Sequence, residues 1–194
     1  MTYQKKITSN LKAAARTLDD SAGDPRLVDT VSLAAEKIIG AYKGGNKVLF
    51  CGNGGSAADA QHLAAELSGK FYLDRPPLPA EALHANASYL TAVANDYSYD
   101  KVYSRAIEAS GKKGDVLVAI STSGNSENII SALKTARRLG LATIGLTKND
   151  GGKFKGLCDI LICAPSADTP RVQEAHIAIG HTICEIVEET LFKK

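Results

Sequence analysis

Short apolar runs alternate with longer segments of helical periodicity along most of this chain. Five runs have the length and apolar content of buried strands: 47–51, 80–84, 115–120, 142–147 and 159–164. Apolar residues spaced three and four apart predict helices over 1–20, 26–43, a segment that ends near 69, 87–94, 100–110, 126–139 and 169–192. This order predicts an α/β fold, a five-stranded parallel sheet covered by helices on both faces and therefore doubly wound.

The last predicted helix carries two apolar stripes. One consists of Val172, Ala175, Ile179, Ile183 and Ile186, and the other of Ile177, Gly180, Cys184, Val187 and Leu191. A helix that is apolar on two sides is buried in protein or shared with another subunit. His176 lies on the first stripe, which favours a packed core histidine. Gln173 and His181 lie along the second stripe, and spacing does not distinguish a packed histidine from a functional one at position 181.

Length and charge narrow the classes of protein. The chain has 194 residues, of which 44% are hydrophobic, and this suits one domain over 1–194 with a helical arm at about 1–43. Its net charge of +2 and the absence of a Lys/Arg block argue against nucleic-acid binding. We expect no membrane span, no secretion signal and a cytoplasmic protein. The four cysteines form no Cys-x-x-Cys pair and are predicted to be reduced, with Cys51, Cys163 and Cys184 buried.

Two loops of small residues follow the first and third predicted strands. The first is Gly52-Asn53-Gly54-Gly55-Ser56, and the second is Ser121-Thr122-Ser123-Gly124-Asn125-Ser126. Each leads from a strand into a helix, so both are expected at the carboxyl edge of the sheet. Helix N-termini attract anions because their first amides are unpaired and the dipole is positive there. The two loops therefore predict a site for a phosphorylated small molecule.

Three kinds of phosphate-binding loop compete for this interpretation. A Walker loop requires Gly-Lys-Ser/Thr, and neither loop contains a lysine. Gly52, Gly54 and Ala57 fit the dinucleotide pattern G-x-G-x-x-A, but His84-Ala85-Asn86 stands where an acidic residue should end the next strand. A neutral, hydroxyl-lined cradle for a sugar phosphate fits better. Helix capping accounts for one Ser or Asn in each loop, not for four hydroxyls in six positions.

His62 and Glu66 are four residues apart on the helix after the first loop. Side chains at this spacing share one helix face and can reach one metal ion or one substrate. An exposed helix pair has the same spacing, so both interpretations stay open at this point.

Five motifs in order give the chain a specific resemblance. They are Gly-Asn-Gly-Gly-Ser followed by Ala-x-His-x-x-x-Glu, then Asn-Asp-Tyr, Ser-Thr-Ser-Gly-Asn-Ser and Arg-Val-Gln-Glu-x-His. Through them the chain resembles the sugar isomerase (SIS) domain family over nearly its whole length. Within that family it is similar to the phosphoheptose isomerases, which convert sedoheptulose 7-phosphate to D-glycero-D-manno-heptose 7-phosphate, the first step of nucleotide-activated heptose synthesis.

The resemblance implies a mechanism and a set of site residues. An aldose–ketose isomerisation through an enediol(ate) would use Glu66 as base and His181 as its acid/base partner. One zinc ion per subunit would be held by His62, Glu66, Gln173 and His181. A homotetramer is implied, with the N-terminal helices at subunit contacts. The implied substrate-binding residues are Asn53, Gly54, Gly55, Ser56, Glu66, Asn95, Asp96, Ser121, Thr122, Ser123, Ser126 and Gln173.

Other SIS-domain proteins set the alternatives. Some are non-catalytic modules that bind a replication initiator or sense a sugar phosphate, and others isomerise a pentose or hexose phosphate. A binding-only module needs no base paired with an acid, so Glu66 together with His181 favours an enzyme. Two positions depart from the family: Ser98 replaces a usual Gly, and Glu81 stands at a usually apolar strand position, which predicts an edge or a buried partner.

Overall fold

A single parallel sheet organises the computed structural model, which describes residues 2–193. Its strands are β1 Val48–Gly52, β2 Ala80–Ala82, β3 Val116–Ile120, β4 Ala142–Lys148 and β5 Ile160–Ala164. They lie in the order β2-β1-β3-β4-β5, and every neighbouring pair is parallel. The predicted number of strands and their direction are confirmed.

Seven α-helices flank the sheet within the described residues. They are α1 Tyr3–Gly23, α2 Pro25–Lys43, α3 Gly55–Ser68, α4 Ala87–Asp96, α5 Val102–Ser110, α6 Glu127–Leu139 and α7 Thr169–Phe192. Helices α2, α3 and α7 pack on one face, against Phe50 and Val118. Helices α4, α5 and α6 pack on the other, against Leu49 and Leu117. Since successive strand residues point to opposite faces, continuous apolar strands require this double cover, and the doubly wound prediction is confirmed.

The chain direction changes between β1 and β3, which are neighbours in the sheet. After β1 the chain crosses through α3 towards the edge strand β2, and after β3 it crosses through α6 on the opposite face towards β4. The first turns of α3 and α6 therefore diverge, and a crevice opens at the carboxyl ends of β1 and β3. In doubly wound sheets this is the usual position for a ligand.

Several element boundaries differ from the sequence prediction. Helix α4 continues through Asn95 and Asp96, beyond its predicted end at residue 94, because the Tyr97 amide still donates to the Val93 carbonyl. Strand β2 ends at Ala82 instead of 84, where a turn closed by the Ala85 amide begins. Residues 99–101 form a 3₁₀ turn before α5, whereas α7 begins at Thr169 as predicted, with Asp168 at its N-cap position. Short polar residues explain the errors at α4 and α5, since they suit both helix ends and turns.

Three predictions concern exposure at particular residues. Glu81 is exposed on the edge strand β2, as expected for an acidic residue in a sheet. All four cysteines are free. Cys51 and Cys184 are buried as predicted, but Cys163 is only half-buried because β5 is the other edge strand.

Within residues 2–193, no helix combines the length and the apolar character that a membrane crossing requires. The single domain over 1–194 and its arm at 1–43 remain predictions.

Candidate active site

The first loop brings its backbone close to whatever occupies the crevice. Gly54 has φ +55° and ψ −121°, a conformation that only glycine adopts without strain. A Cβ on Gly52 would lie 2.3 Å from the carbonyl oxygen of Ser56, so this position excludes a side chain too. Gly54 thus occupies the N-cap position of α3 without a side-chain cap, while the Ser56 side chain is buried beside the turn.

A reciprocal amide pair joins the first loop to the first turn of α6. Asn53 Nδ2 donates to Asn128 Oδ1 at 2.9 Å, and Asn128 Nδ2 donates back to Asn53 Oδ1 at 2.8 Å. The Tyr99 hydroxyl also donates to Asn53 Oδ1, at 3.0 Å. Sequence reasoning missed Asn128, which is buried in the first turn of α6. An amide at the start of an otherwise apolar helix face is the signal that could have found it.

Three serine hydroxyls converge in the second loop. Ser121 Oγ lies 3.1 Å from Ser126 Oγ and 3.4 Å from Ser123 Oγ. Ser126 occupies the cap position of α6 but makes no capping hydrogen bond, so its hydroxyl serves the cluster instead. Thr122 is half-exposed at the turn. The cluster is therefore not explained by helix capping.

The end of β4 packs against the second loop. A Cβ on Gly124 would lie 2.8 Å from Thr147 Oγ1, which leaves room only for glycine. His176 on α7 is fully buried and donates from Nε2 to the Thr147 carbonyl at 3.1 Å. Burial lowers the pKa of His176 to about 4 against the opposing effect of this hydrogen bond, so the ring is neutral at pH 7. The packed-histidine prediction is confirmed.

Helices α3 and α7 lie side by side and run in the same direction. A Cβ on Gly180 would meet Leu63 Cδ1 at 2.5 Å, and a Cβ on Gly55 would meet Gln173 Nε2 at the same distance. The small residues thus let the two helices approach closely. Gln173 lies against the first loop, about two turns before His181 along α7.

The seam between these helices assembles three of the four predicted metal ligands. His62 Nε2 lies 3.1 Å from Glu66 Oε1 and 2.9 Å from His181 Nε2. One ligand atom from each residue lies within 4.8 Å of the other two. In a tetrahedral zinc site with nitrogen and oxygen ligands, neighbouring ligand atoms are about 3.3 Å apart, close to the observed spacing. The donor set therefore fits a zinc ion.

Exposure and ring packing set how this group meets solvent. The His62 side chain is 52% exposed and that of Glu66 is 21% exposed, so the group opens to the outside of the chain. The half-buried Phe71 ring lies 5.8 Å from the His181 ring, measured between centroids. One turn before His62, Asp59 has a buried carboxylate oxygen without a hydrogen-bond partner among the described residues. Burial raises the pKa of Asp59, and the nearby His62 opposes this effect.

Asn95, Asp96 and Ser98 lie between β2 and α5, outside the two loops. Asn95 Nδ2 donates to Asp96 Oδ1 at 3.0 Å in the last turn of α4, and both residues are exposed. Ser98 has an extended backbone with φ −173°, which any residue adopts, so the glycine usual in the family is not required here. His84 packs edge-on against Tyr103, whose buried hydroxyl donates to the Gly52 carbonyl. His84 therefore packs against Tyr103, the residue that binds the first loop through this hydrogen bond.

Comparisons with known proteins agree with this geometry. A family model described as SIS domain matches residues 14–148. The phosphoheptose isomerase of Clostridium acetobutylicum is 53% identical over 189 residues, which cover 97% of this chain and 94% of that protein. The phosphoheptose isomerase structure from Neisseria gonorrhoeae has a TM-score of 0.91 at 40% identity, covering 97% of this chain and 100% of that one. The structure from Francisella tularensis has a TM-score of 0.93 at 35% identity, with the same coverage. The chain belongs to the SIS-domain family and, within it, to the phosphoheptose isomerases.

Proposed function

We propose that this chain interconverts sedoheptulose 7-phosphate and D-glycero-D-manno-heptose 7-phosphate, an aldose–ketose isomerisation through an enediol(ate). The convergence of His62, Glu66 and His181 between α3 and α7 carries the proposal. A base and a second proton-transfer group a few ångströms apart are what this reaction requires, and a module that only holds a sugar phosphate has no need of them.

Binding begins with the phosphate in the second loop. Ser121, Ser123 and Ser126 supply hydroxyl donors, and the first turn of α6 adds the positive end of its dipole. These donors are uncharged, so they would bind the phosphate dianion through hydrogen bonds and not through an ion pair. The sugar hydroxyls then reach the first loop, where the Asn53–Asn128 pair fixes the distance between this loop and the first turn of α6. Asn95, Asp96, Thr122 and the backbone of Gly54 and Gly55 complete the proposed contacts.

The chemical step moves one proton between adjacent carbons. Glu66 removes a proton from C1 of the ketose, and the electron pair forms the C1–C2 double bond of the enediol while His181 protonates O2. His181 then takes the proton from O1 as the aldose carbonyl forms, and Glu66, whose carboxyl proton exchanges with solvent while the enediol is bound, gives a proton to C2. Each residue ends in its starting protonation state, so turnover needs no other reactant.

A zinc ion fits the same residues. His62, Glu66 and His181 would hold it with Gln173, whose amide reaches the ion only if its side chain extends along α7 towards His181. Bound there, zinc would supply positive charge that polarises the substrate carbonyl. Glu66 Oε1 and His181 Nε2 both face His62, so with these atoms on the ion Glu66 Oε2 and His181 Nδ1 would remain for proton transfer.

Self-association into a homotetramer in the cytoplasm is part of the proposal. The groove between α1, α2 and α7 has a volume of about 470 Å³ and is lined by Leu18, Leu27, Val28, Val31, Ile179 and Ile186, among others. Helix α1 also exposes Ile7 and Leu11. Apolar surface of this extent is typical of subunit contacts.

Incubation of the parent protein with sedoheptulose 7-phosphate, followed by detection of the aldose, tests the proposal. Glu66→Gln is expected to lose at least about 100-fold in kcat while still binding the sugar phosphate. Glu36→Gln, at an exposed position on α2, is the matched control and should retain parent turnover. Turnover of a pentose or hexose phosphate alone would overturn the substrate assignment, and binding without turnover of any sugar phosphate would overturn the enzymatic one.

A further inference from the structure

A buried carboxylate on α7 accepts hydrogen bonds from the segment that follows α3. Glu188 is 1% exposed and accepts hydrogen bonds from the backbone amides of Phe71, Tyr72 and Leu73 at 3.1, 2.7 and 2.9 Å. It also accepts from Arg75 Nε at 2.9 Å. Burial raises the pKa of Glu188, but the amides and the guanidinium together outweigh burial and hold the pKa below its usual range. Four donors for one carboxylate make a complete set.

Arg75, the ion-pair partner of Glu188, caps the C-terminal end of α3. Arg75 donates from Nη2 to the Glu66 carbonyl at 2.9 Å and from Nη1 to the Leu67 carbonyl at 2.8 Å. The Gly69 carbonyl lies 3.2 Å from Nη1 as well. The last carbonyls of a helix have no partner within the helix, and a cation there also meets the negative end of the dipole. One guanidinium therefore fixes the last turn of α3.

The pair connects the two helices that carry the proposed metal ligands. Glu66 lies in the turn of α3 that Arg75 holds, and Glu188 lies two turns after His181 on α7. Between them, the Glu188-bound amide of Phe71 sets the ring that packs 5.8 Å from His181. Ion pairs this deeply buried stabilise a fold poorly compared with apolar residues, so a positional role is a reason to have one here.

We propose that Arg75 and Glu188 are positioning residues that fix the Glu66 carboxylate relative to the His181 ring, and through this set both metal affinity and turnover. The inference rests on the proposed function of Glu66 and His181. Neither Arg75 nor Glu188 needs to touch the substrate or the ion for this role.

The chain contains a matched control for removing such a pair. Asp115 is also 1% exposed and accepts from the backbone amides of Lys47 and Lys112 and from Lys47 Nζ. It lies at the amino ends of β1 and β3, the edge of the sheet opposite the crevice. Glu188→Gln and Asp115→Asn therefore both weaken a buried carboxylate network, but only the first network contacts the α3–α7 seam.

The experiment measures zinc affinity by competition with a chromophoric chelator, together with kcat, KM and thermal unfolding of the full chain. Both variants are expected to unfold at lower temperature. Glu188→Gln is expected to lose about tenfold or more in zinc affinity and in kcat, with KM within about twofold of the parent, and Asp115→Asn should keep both. Arg75→Lys keeps the positive charge but loses the several N–H donors of the guanidinium, so it should give an intermediate loss of zinc affinity and kcat. This variant also serves as the test if Glu188→Gln fails to fold.

Equal zinc affinity and kcat in the parent, Arg75→Lys and any folded Glu188→Gln would overturn the positioning proposal, as would equal losses in Asp115→Asn. A parent chain that binds no zinc would instead refute the metal part of the proposed function. In that case the kcat comparison between the Arg75 or Glu188 variants and Asp115→Asn decides the positioning role without the metal.

Discussion

Asn53 and Asn128 exchange two hydrogen bonds through their side-chain amides, at 2.9 and 2.8 Å, across the crevice between β1 and β3. Asn53 lies in the loop before α3 and Asn128 in the first turn of α6, and the two helices cover different faces of the sheet, so the pair fixes the width of the crevice. Asn128→Leu keeps the branched shape of the side chain and removes both bonds, which leaves Asn53 Nδ2 without its acceptor, while Asn53 Oδ1 keeps the Tyr99 hydroxyl. Unsatisfied buried groups cost about 1–3 kcal/mol, and we expect KM for the sugar phosphate to rise about tenfold or more.

Thr135→Val provides the control for Asn128→Leu. Thr135 is buried on the same helix, two turns away from the crevice, and its replacement is isosteric. Steady-state kinetics of this variant should give the parent KM. Equal KM in both variants would show that the amide pair does not shape the crevice.

The role of Ser126 separates ligand binding from helix capping. Since its hydroxyl makes no capping bond, Ser126→Ala should change the free energy of unfolding by less than about 0.5 kcal/mol. KM for the sugar phosphate should nevertheless rise, because one member of the hydroxyl cluster is lost. Asn86→Ala is the contrasting variant: Asn86 caps α4 through the Tyr89 amide, so we expect a loss of about 1 kcal/mol and an unchanged KM. Urea unfolding and initial rates measure both effects.

Close approach of α3 and α7 depends on Gly180. In Gly180→Ala the new methyl group meets Leu63 at 2.5 Å, so the helices must separate and His181 moves away from His62. We expect lower thermal stability and weaker zinc binding, by the cost of overpacking, about 1–3 kcal/mol. Gly40→Ala on α2 meets nothing within 4 Å and should stabilise the chain by about 0.5–1 kcal/mol. A Gly180→Ala protein with parent zinc affinity would contradict the proposed seam.

Acid stability depends on the buried ring of His176. Its folded pKa of about 4 lies below the ordinary value near 6.5, so folding favours the neutral ring. This contribution is complete above pH 6.5 and is lost as the pH falls towards 4, because the unfolded chain binds the proton first. In His176→Gln the contribution is absent. We expect the stability difference between parent and variant to shrink by about 2 kcal/mol from pH 7 to pH 5 in urea unfolding. An unchanged difference would mean that His176 has the same pKa in the folded and unfolded states.

Local patterns predicted the fold and the two loops, and long-range contacts were beyond them. Apolar runs and small-residue turns identify strands and the loops after them without knowledge of the rest of the chain. The i, i+4 spacing of His62 and Glu66 likewise put them on one helix face. Arg75 and Glu188, in contrast, are 113 positions apart, and each resembles an ordinary surface charge in the sequence. Asn128 was missed for the same reason, since its partner lies 75 positions away.

The assignment of Glu66 as the base that moves the proton is the central claim, and isomerisation in D₂O tests it most directly. The parent protein is predicted to convert sedoheptulose 7-phosphate to an aldose that carries solvent deuterium at C2. Glu66→Gln is predicted to bind the substrate and to form that labelled product at least about 100-fold more slowly. Labelled aldose formed by Glu66→Gln at the parent rate would contradict the account.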